Sequence, residues 1–215
     1  VLGKKSRNFM DLVGQLRFQQ RWAQSPRVPE TSVLGHMLIV AILLYLFSVE
    51  IGAARKRIYN NFFAGLFHDL PEVLTRDIVS PVKRSVAGLE ELIKNIEQEQ
   101  FGEKILPLLP RAWHQEMLYF LGDEFKSKAR VNGQTVLCSS EMLSEKYSGD
   151  EFEPLDGALV RASDQLAAYI EASMSIDYGI KAPEMMKGKE QIYAQYAGIK
   201  ICDIDISKYF NYWQD

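Results

Sequence analysis

Cysteine is almost missing from this 215-residue chain. Cys138 and Cys202 are too few for a disulfide framework and lack the spacing of a thiolate metal site. They fit a reducing cytoplasm, where they are inert side chains. Excess positive charge is missing too. Twenty-five basic against 28 acidic side chains give a net charge of −3, so the basic footprint that holds polymeric nucleic acid is not there. A small anionic ligand remains open, since it needs only a local cluster of cations. There is no internal repeat, no low-complexity tract and no secretory-signal pattern after Val1. The longest apolar run, Met37 to Phe47, is too short to span a bilayer and is bracketed by His36 and Glu50. It reads as a buried core helix, which argues against a membrane partner.

What is present is a composition with 47% hydrophobic and 25% charged residues, that of a folded globular protein. Helical periodicity runs through most of it. Phe9, Leu12, Val13 and Leu16 form one apolar stripe. Phe62, Phe63, Leu66 and Phe67 form a second, and Val82, Val86, Leu89, Ile93 and Ile96 a third. Ser80-Pro81 has the form of an N-cap and first helical residue for the third stripe. Pro154 plays a similar part before a helix buried through Leu155, Leu159, Ala162, Leu166 and Tyr169. Gly102, Pro107 and Pro110 punctuate a connecting region. One stretch departs from the helical pattern: Ala129 to Leu137 reads as a β-hairpin turning at Asn132-Gly133. The expectation is an all-α bundle with a small β-hairpin elaboration. It is a single domain over 1–215, with an insertion over about 123–153 that flanks the functional pocket.

Ionisable side chains placed in apolar helices carry the functional signal. His36, the adjacent pair His68-Asp69, and Asp164 each sit where burying a charge is costly unless it is paired or bound to a cation. Taken singly, each has an ordinary structural reading as a core histidine, a turn cap or a polar face. Together they make a nitrogen-and-oxygen ligand set for one divalent transition metal. Mn, Co, Fe, Ni or Zn suits such a set better than an all-oxygen calcium cage, and open coordination positions remain for water and a substrate oxygen. His114 belongs to no such pattern.

The ordered set His36, His68-Asp69, Asp164 resembles the H…HD…D pattern of the HD-domain metal-dependent phosphohydrolases. The run from His68-Asp69-Leu70-Pro71-Glu72-Val73-Leu74-Thr75 through Asp77 to Pro81-Val82-Lys83 is similar to a stretch of the bacterial 5′-deoxynucleotidases. So is Leu159 to Tyr169 around Asp164, and Arg21-Trp22 stands at the matching distance before His36. The resemblance covers most of the chain from Arg21 to about Asp177. It implies a phosphohydrolase that removes phosphate from deoxynucleoside 5′-monophosphates by attack of a metal-activated water. His36, His68, Asp69 and Asp164 are then the metal ligands, and Glu72 and Asp77 handle the water and its protons. Arg21 binds phosphate and Trp22 shapes the sugar pocket. A helix continuing past His68 would set Glu72 one turn further on. A homodimer is also implied. The alternatives are another phosphorylated metabolite or signalling nucleotide as substrate, or a ligand-sensing domain without turnover. The chain departs from the family at Thr31 and Gly35, where an acidic residue is common before the first metal histidine.

Overall fold

Helix α2 (Val33–Glu50) is apolar on every side, and its sequence neighbours decide which half is covered. Ser32 starts it by accepting a hydrogen bond from the Gly35 amide at 3.0 Å, the usual service of an N-cap serine. A turn through Gly52, whose φ of +62° suits glycine, reverses the chain into α3 (Arg55–Phe67). The two helices touch backbone to backbone at Gly65. A Cβ there would lie 2.5 Å from Leu44 Cδ1 and 3.1 Å from the Ala41 Cα. Helix α8 (Gly157–Asp177) lies across both. Val33, Met37, Val40, Ala41, Leu44 and Phe47 of α2 and Leu159, Ala162, Leu166 and Tyr169 of α8 form the centre of the core. The structure is a computed structural model that describes residues 3–23, 25–75 and 88–214.

Around these three helices the chain adds α1 (Lys4–Gln15), α4 (Glu72–Thr75), α5 (Leu89–Gln100), α6 (Arg111–Leu121), α7 (Ser140–Lys146), α9 (Pro183–Tyr196) and α10 (Ser207–Asn211). Two antiparallel hairpins complete it: β1 (Lys128–Val131) with β2 (Gln134–Leu137), and β3 (Lys200–Ile201) with β4 (Ile204–Asp205). The fold is a helical bundle with a small β elaboration, as the periodicity implied. The first hairpin turns at Asn132 and Gly133, both with positive φ (52° and 78°), which is the backbone expected of an Asn-Gly type I′ turn. The second turns at Cys202-Asp203, also at positive φ, and carries no such sequence signal.

Several expectations need correction. The aromatic stripe Phe62, Phe63, Leu66, Phe67 is only half-buried; the covered face of α3 holds Arg57, Asn60, Asn61, Ala64 and Gly65 instead. Of the third stripe, Ile93 is buried and Ile96 exposed, while Val82, Val86 and the Ser80-Pro81 cap lie outside the described residues. Pro154 does not open α8, which begins at Gly157. The region around Gly102 and Pro107 is itself helical, a π turn over Phe101–Ile105 running into a 3-10 turn over Leu106–Leu108. The run Met37 to Phe47 belongs to an 18-residue helix long and apolar enough to cross a bilayer. One half of that helix is packed against α3 and α8. Leu38, Ile39, Ile42, Tyr45, Leu46 and Val49 on the other half are exposed.

The polar face of α3 has a definite task. Arg57 is 4% exposed and grips the fully buried Asp156 through Nε at 2.8 Å and a terminal nitrogen at 2.6 Å. Asn61 donates to the same carboxylate at 2.7 Å and accepts from the Asp156 amide at 2.8 Å. Asn60 donates to the carbonyls of Glu153 and Pro154. These bonds fix where α8 starts against α3. From Asn61 to His68 is roughly 10 Å along one helix, and from Asp156 to Asp164 roughly 12 Å along the other. A lock at Asp156 therefore delivers Asp164 opposite His68. Removing one partner of a buried ion pair strands the other, so Asp156→Ala should lower stability by about 3–5 kcal/mol in urea titration.

The insertion packs at that same end. Lys56 and Asn60 of α3 bond to Asp150, Glu153 and Pro154, and Tyr119 and Gln115 of α6 meet Glu153, Lys128 and Arg130. Asn60 stands about 12 Å from His68 along α3. These contacts buttress the N-terminal half of α3, and Phe125 of the same segment lies under the Arg161 guanidinium, one turn before Asp164 on α8.

Candidate metal centre

His36, His68, Asp69 and Asp164 are brought together, each from a different local context. His36 lies in the first turns of α2 and is fully buried. His68 caps the C-terminus of α3, and its Nδ1–H donates to the Gly65 carbonyl at 2.8 Å. That bond turns Nε2 inward, and Nε2 is buried without an aligned hydrogen-bond partner. The two imidazole centroids lie 5.5 Å apart. Asp164 Oδ1 is 3.0 Å from His36 Nε2 and 3.8 Å from His68 Nε2. Asp69 Oδ2 is 3.2 Å from His68 Nε2 and 3.9 Å from His36 Nε2. Donor atoms of His36, His68 and Asp164 all lie within 4.8 Å of one another, close enough to share one metal ion. The orphaned Nε2 of His68, aimed at two carboxylates, fits a divalent cation of the imidazole-binding class.

The electrostatics agree. Burial and the Arg21 charge both pull the His36 pKa down, yet hydrogen bonds donated to Asp164 and Glu171 raise it above the ordinary value. Burial likewise opposes charge on His68, and Asp69 and Asp164 push its pKa well up. Burial works against ionisation of Asp69 and Asp164, but the imidazoles, and Arg21 beside Asp69, hold both well below the usual carboxylate range. The space is built to attract positive charge.

Arg21 and Trp22 sit at the mouth. An isolated bridge pairs Gln20 with Ser32 at the start of α2, and the Arg21 amide donates to the Thr31 carbonyl at 2.9 Å. One terminal nitrogen of Arg21 is 3.3 Å from Asp69 Oδ2 and the other 3.8 Å from Asp164 Oδ1. Trp22, at a left-handed φ of 57°, packs against Ala172, Ala182 and Met185, with its ring edge over Gly188. A cavity of about 360 Å³ opens here, lined by Arg21, Trp22, Pro26 and Arg27 among others.

Glu72 is buried, but not by the simple helical spacing. Helix α3 ends at Phe67, Asp69 to Pro71 form turns, and Glu72 opens the separate four-residue α4. Proline cannot continue the hydrogen-bond ladder, which explains the break. Asp77 lies outside the described residues. His114 Nε2–H donates to the Leu109 carbonyl just before its own helix, away from the cluster.

Two residues were missed from the sequence. Glu171 Oε1 is 3.2 Å from His36 Nδ1, and Glu171 Oε2 receives Arg27 at 3.0 Å and the Trp22 indole N–H at 3.3 Å. Arg27 also donates to Thr31 Oγ1. The available signal was the spacing: Glu171 stands seven residues after Asp164, two turns along the same face of α8, inside an apolar stretch. Burial opposes its charge, but the His36 hydrogen bond and the nearby arginines keep the Glu171 pKa below its ordinary value.

If this cluster is the metal site, protein purified without chelator carries metal and Asp164→Ala carries little or none, read by elemental analysis. Equal metal in both would remove Asp164 from the ligand set.

Comparison with known proteins places this geometry. The HD domain family model matches residues 13–193. A 5′-deoxynucleotidase of Pectobacterium atrosepticum is 25% identical over 185 residues, covering 80% of this chain and 87% of its own. A 5′-deoxynucleotidase of Yersinia pseudotuberculosis is 24% identical over 180 residues, covering 80% and 88%. Among solved structures, an HD-domain phosphohydrolase from Listeria innocua superposes with a TM-score of 0.68 at 16% identity, over 96% of this chain and 85% of that one. The cyanophage S-2L HD phosphohydrolase, bound to dA and one catalytic Zn²⁺, gives a TM-score of 0.54 at 14% identity, over 99% and 94%. With the family model spanning most of its length and the histidine–aspartate cluster in place, this chain belongs to the HD domain family.

Proposed function

We propose that this chain is a metal-dependent phosphohydrolase that removes phosphate from deoxynucleoside 5′-monophosphates. The observation that carries the reading is Arg21. Its guanidinium spans the two carboxylates of the metal cluster and also lines the adjoining cavity with Trp22. A planar fork in that place grips two phosphate oxygens, and the indole gives the sugar a rigid wall. The cavity volume lies in the lower part of the range for small-molecule sites. Relatives over most of the chain are 5′-deoxynucleotidases, and one structural neighbour holds dA with zinc.

His36, His68, Asp69 and Asp164 would hold the cation, which when bound acidifies water and polarises a phosphoryl oxygen. The chain's own groups do the rest. Arg21 orients the phosphate and screens its charge. Glu72 takes a proton from the water whose oxygen bonds to phosphorus. As the bond from phosphorus to the 5′ oxygen breaks, Asp77 returns a proton to the departing nucleoside. Glu72 is buried rather than a solvated surface carboxylate, which supports a role inside the site.

A phosphate-release panel run with several divalent metals tests the reading. Deoxynucleoside monophosphates should be the best substrates. Glu72→Gln and Asp77→Asn should keep metal yet lose about two to four orders of magnitude in kcat. Arg21→Ala should raise KM strongly with metal content unchanged. Preferred release from another phosphorylated metabolite or signalling nucleotide would move the substrate. No turnover across the panel, with metal and nucleotide still bound, would make the chain a sensing domain.

The reading extends to setting and assembly. Unpaired Cys138 and Cys202 suit a cytoplasmic protein. Homodimerisation is supported by the uncovered arc of α2, from Leu38 to Val49, on a helix with no lysine or arginine. Six large apolar side chains left about half in water expose on the order of 500 Å², at the upper end for a monomer's patch. With its rim, this approaches the area of about 800 Å² that each partner gives a stable dimer. An Ile42→Lys, Leu46→Lys variant should run as a monomer in light scattering where the parent runs as a dimer. A monomeric parent would remove this interface.

A further inference from the structure

We infer that Glu171 is a positioning residue that fixes the metal-facing side of His36 and the Trp22 wall of the pocket with one carboxylate. A neutral imidazole carries one N–H, and the partner of that N–H decides which nitrogen is left to bind a cation. At His36 the partner is Glu171: Oε1 stands 3.2 Å from Nδ1, on the side of the ring opposite Asp164. A cation taken at Nε2, which faces Asp164, Asp69 and His68, would leave the proton at Nδ1 with Glu171 as its acceptor. His68 is oriented by a different device, the neutral carbonyl of Gly65. Of the two ring nitrogens that face away from the cluster, that of His36 has the charged partner, and a carboxylate there makes the imidazole a stronger donor to a metal.

The other oxygen of Glu171 is equally committed. Arg27 and Trp22 both donate to Oε2, at 3.0 and 3.3 Å, and Arg27 and Glu171 are each only 8% exposed. Trp22 needs such a tether, because its left-handed backbone is one that a bulky residue rarely adopts unless its surroundings hold it. The five residues before His36 in sequence, Thr31 to Gly35, offer no carboxylate: Gly35 has no side chain, and Thr31 is engaged by Arg27. Helix α8 supplies the charge from across the core instead. Asp164 and Glu171, two turns apart, reach the two nitrogens of one ring.

The assignment to His36 stands on the cluster's geometry alone; the link to a substrate wall at Trp22 rests on the nucleotidase reading. The experiment therefore uses metal, not turnover. Co²⁺ is titrated into chelator-stripped wild type, Glu171→Gln, and the double variant Arg27→Met, Glu171→Leu, which removes both buried charges together. The double variant should bind Co²⁺ about 10- to 100-fold more weakly, the usual cost of losing such an outer partner. Its visible Co²⁺ spectrum should shift, and Glu171→Gln, which keeps an oxygen for His36, should fall between. Wild-type affinity and an unaltered spectrum in both variants would overturn the inference. Wild-type protein gives an answer free of any folding defect. Loaded with Zn²⁺ and labelled with ¹⁵N at histidine, it should show His36 protonated at Nδ1 in long-range proton–nitrogen spectra. A His36 bearing no proton at Nδ1 would overturn the inference equally.

Discussion

The architecture depends on satisfying charge in a nearly dry space. Asp69, Asp164 and Glu171 gather around two imidazoles with Arg21 and Arg27. Three carboxylates against two guanidiniums leave these groups with a net negative charge, and charge left uncompensated in a protein interior is costly. A divalent cation reverses the sign. The raised histidine and lowered aspartate pKa directions are the same demand expressed through protons.

Meeting that demand requires helices held in fixed register, and the fold secures it at a distance. Gly65 lets α3 approach Ala41 and Leu44 of α2 closely enough that His36 and His68 face one another. The Arg57–Asp156–Asn61 lock sets the start of α8, so Asp164 and Glu171 arrive at the correct height. Buried ion pairs are weak sources of net stability. They are strong sources of registry, because every misaligned arrangement strands a charge. The polar residues on the covered face of α3 are thus best understood as part of the site's construction, although they lie about two turns away from it.

How much of this was legible in the sequence follows from how local each signal is. The Asn132-Gly133 hairpin was readable because a two-residue turn is a local steric problem with few solutions. The cluster of His36, His68, Asp69 and Asp164 was readable because imidazoles and carboxylates stand out against apolar helices. The covered face of α3 was not. Four phenylalanine and leucine positions outweighed Arg57, Asn60 and Asn61 in any hydrophobic pattern, and only the distant Asp156 makes the polar face the inner one. The Cys202-Asp203 turn was hidden for a similar reason, since tertiary packing imposes the positive φ there without a glycine.

Glu171 shows the limit most clearly. From sequence, an acidic residue two turns after Asp164 is one more polar position on an amphipathic helix. Its role appears only when Arg21 to Thr31, tied back to the start of α2, brings Arg27 and Trp22 onto the same carboxylate. The family's usual acidic positions at Thr31 and Gly35 read as losses in one dimension. In three dimensions a carboxylate reaches His36 from α8. A metal histidine needs an acceptor behind it, but the chemistry sets no rule about which helix provides one. An outer partner can therefore move along the chain while the ligand it serves stays fixed, so second-layer residues escape motif reading when the ligands do not.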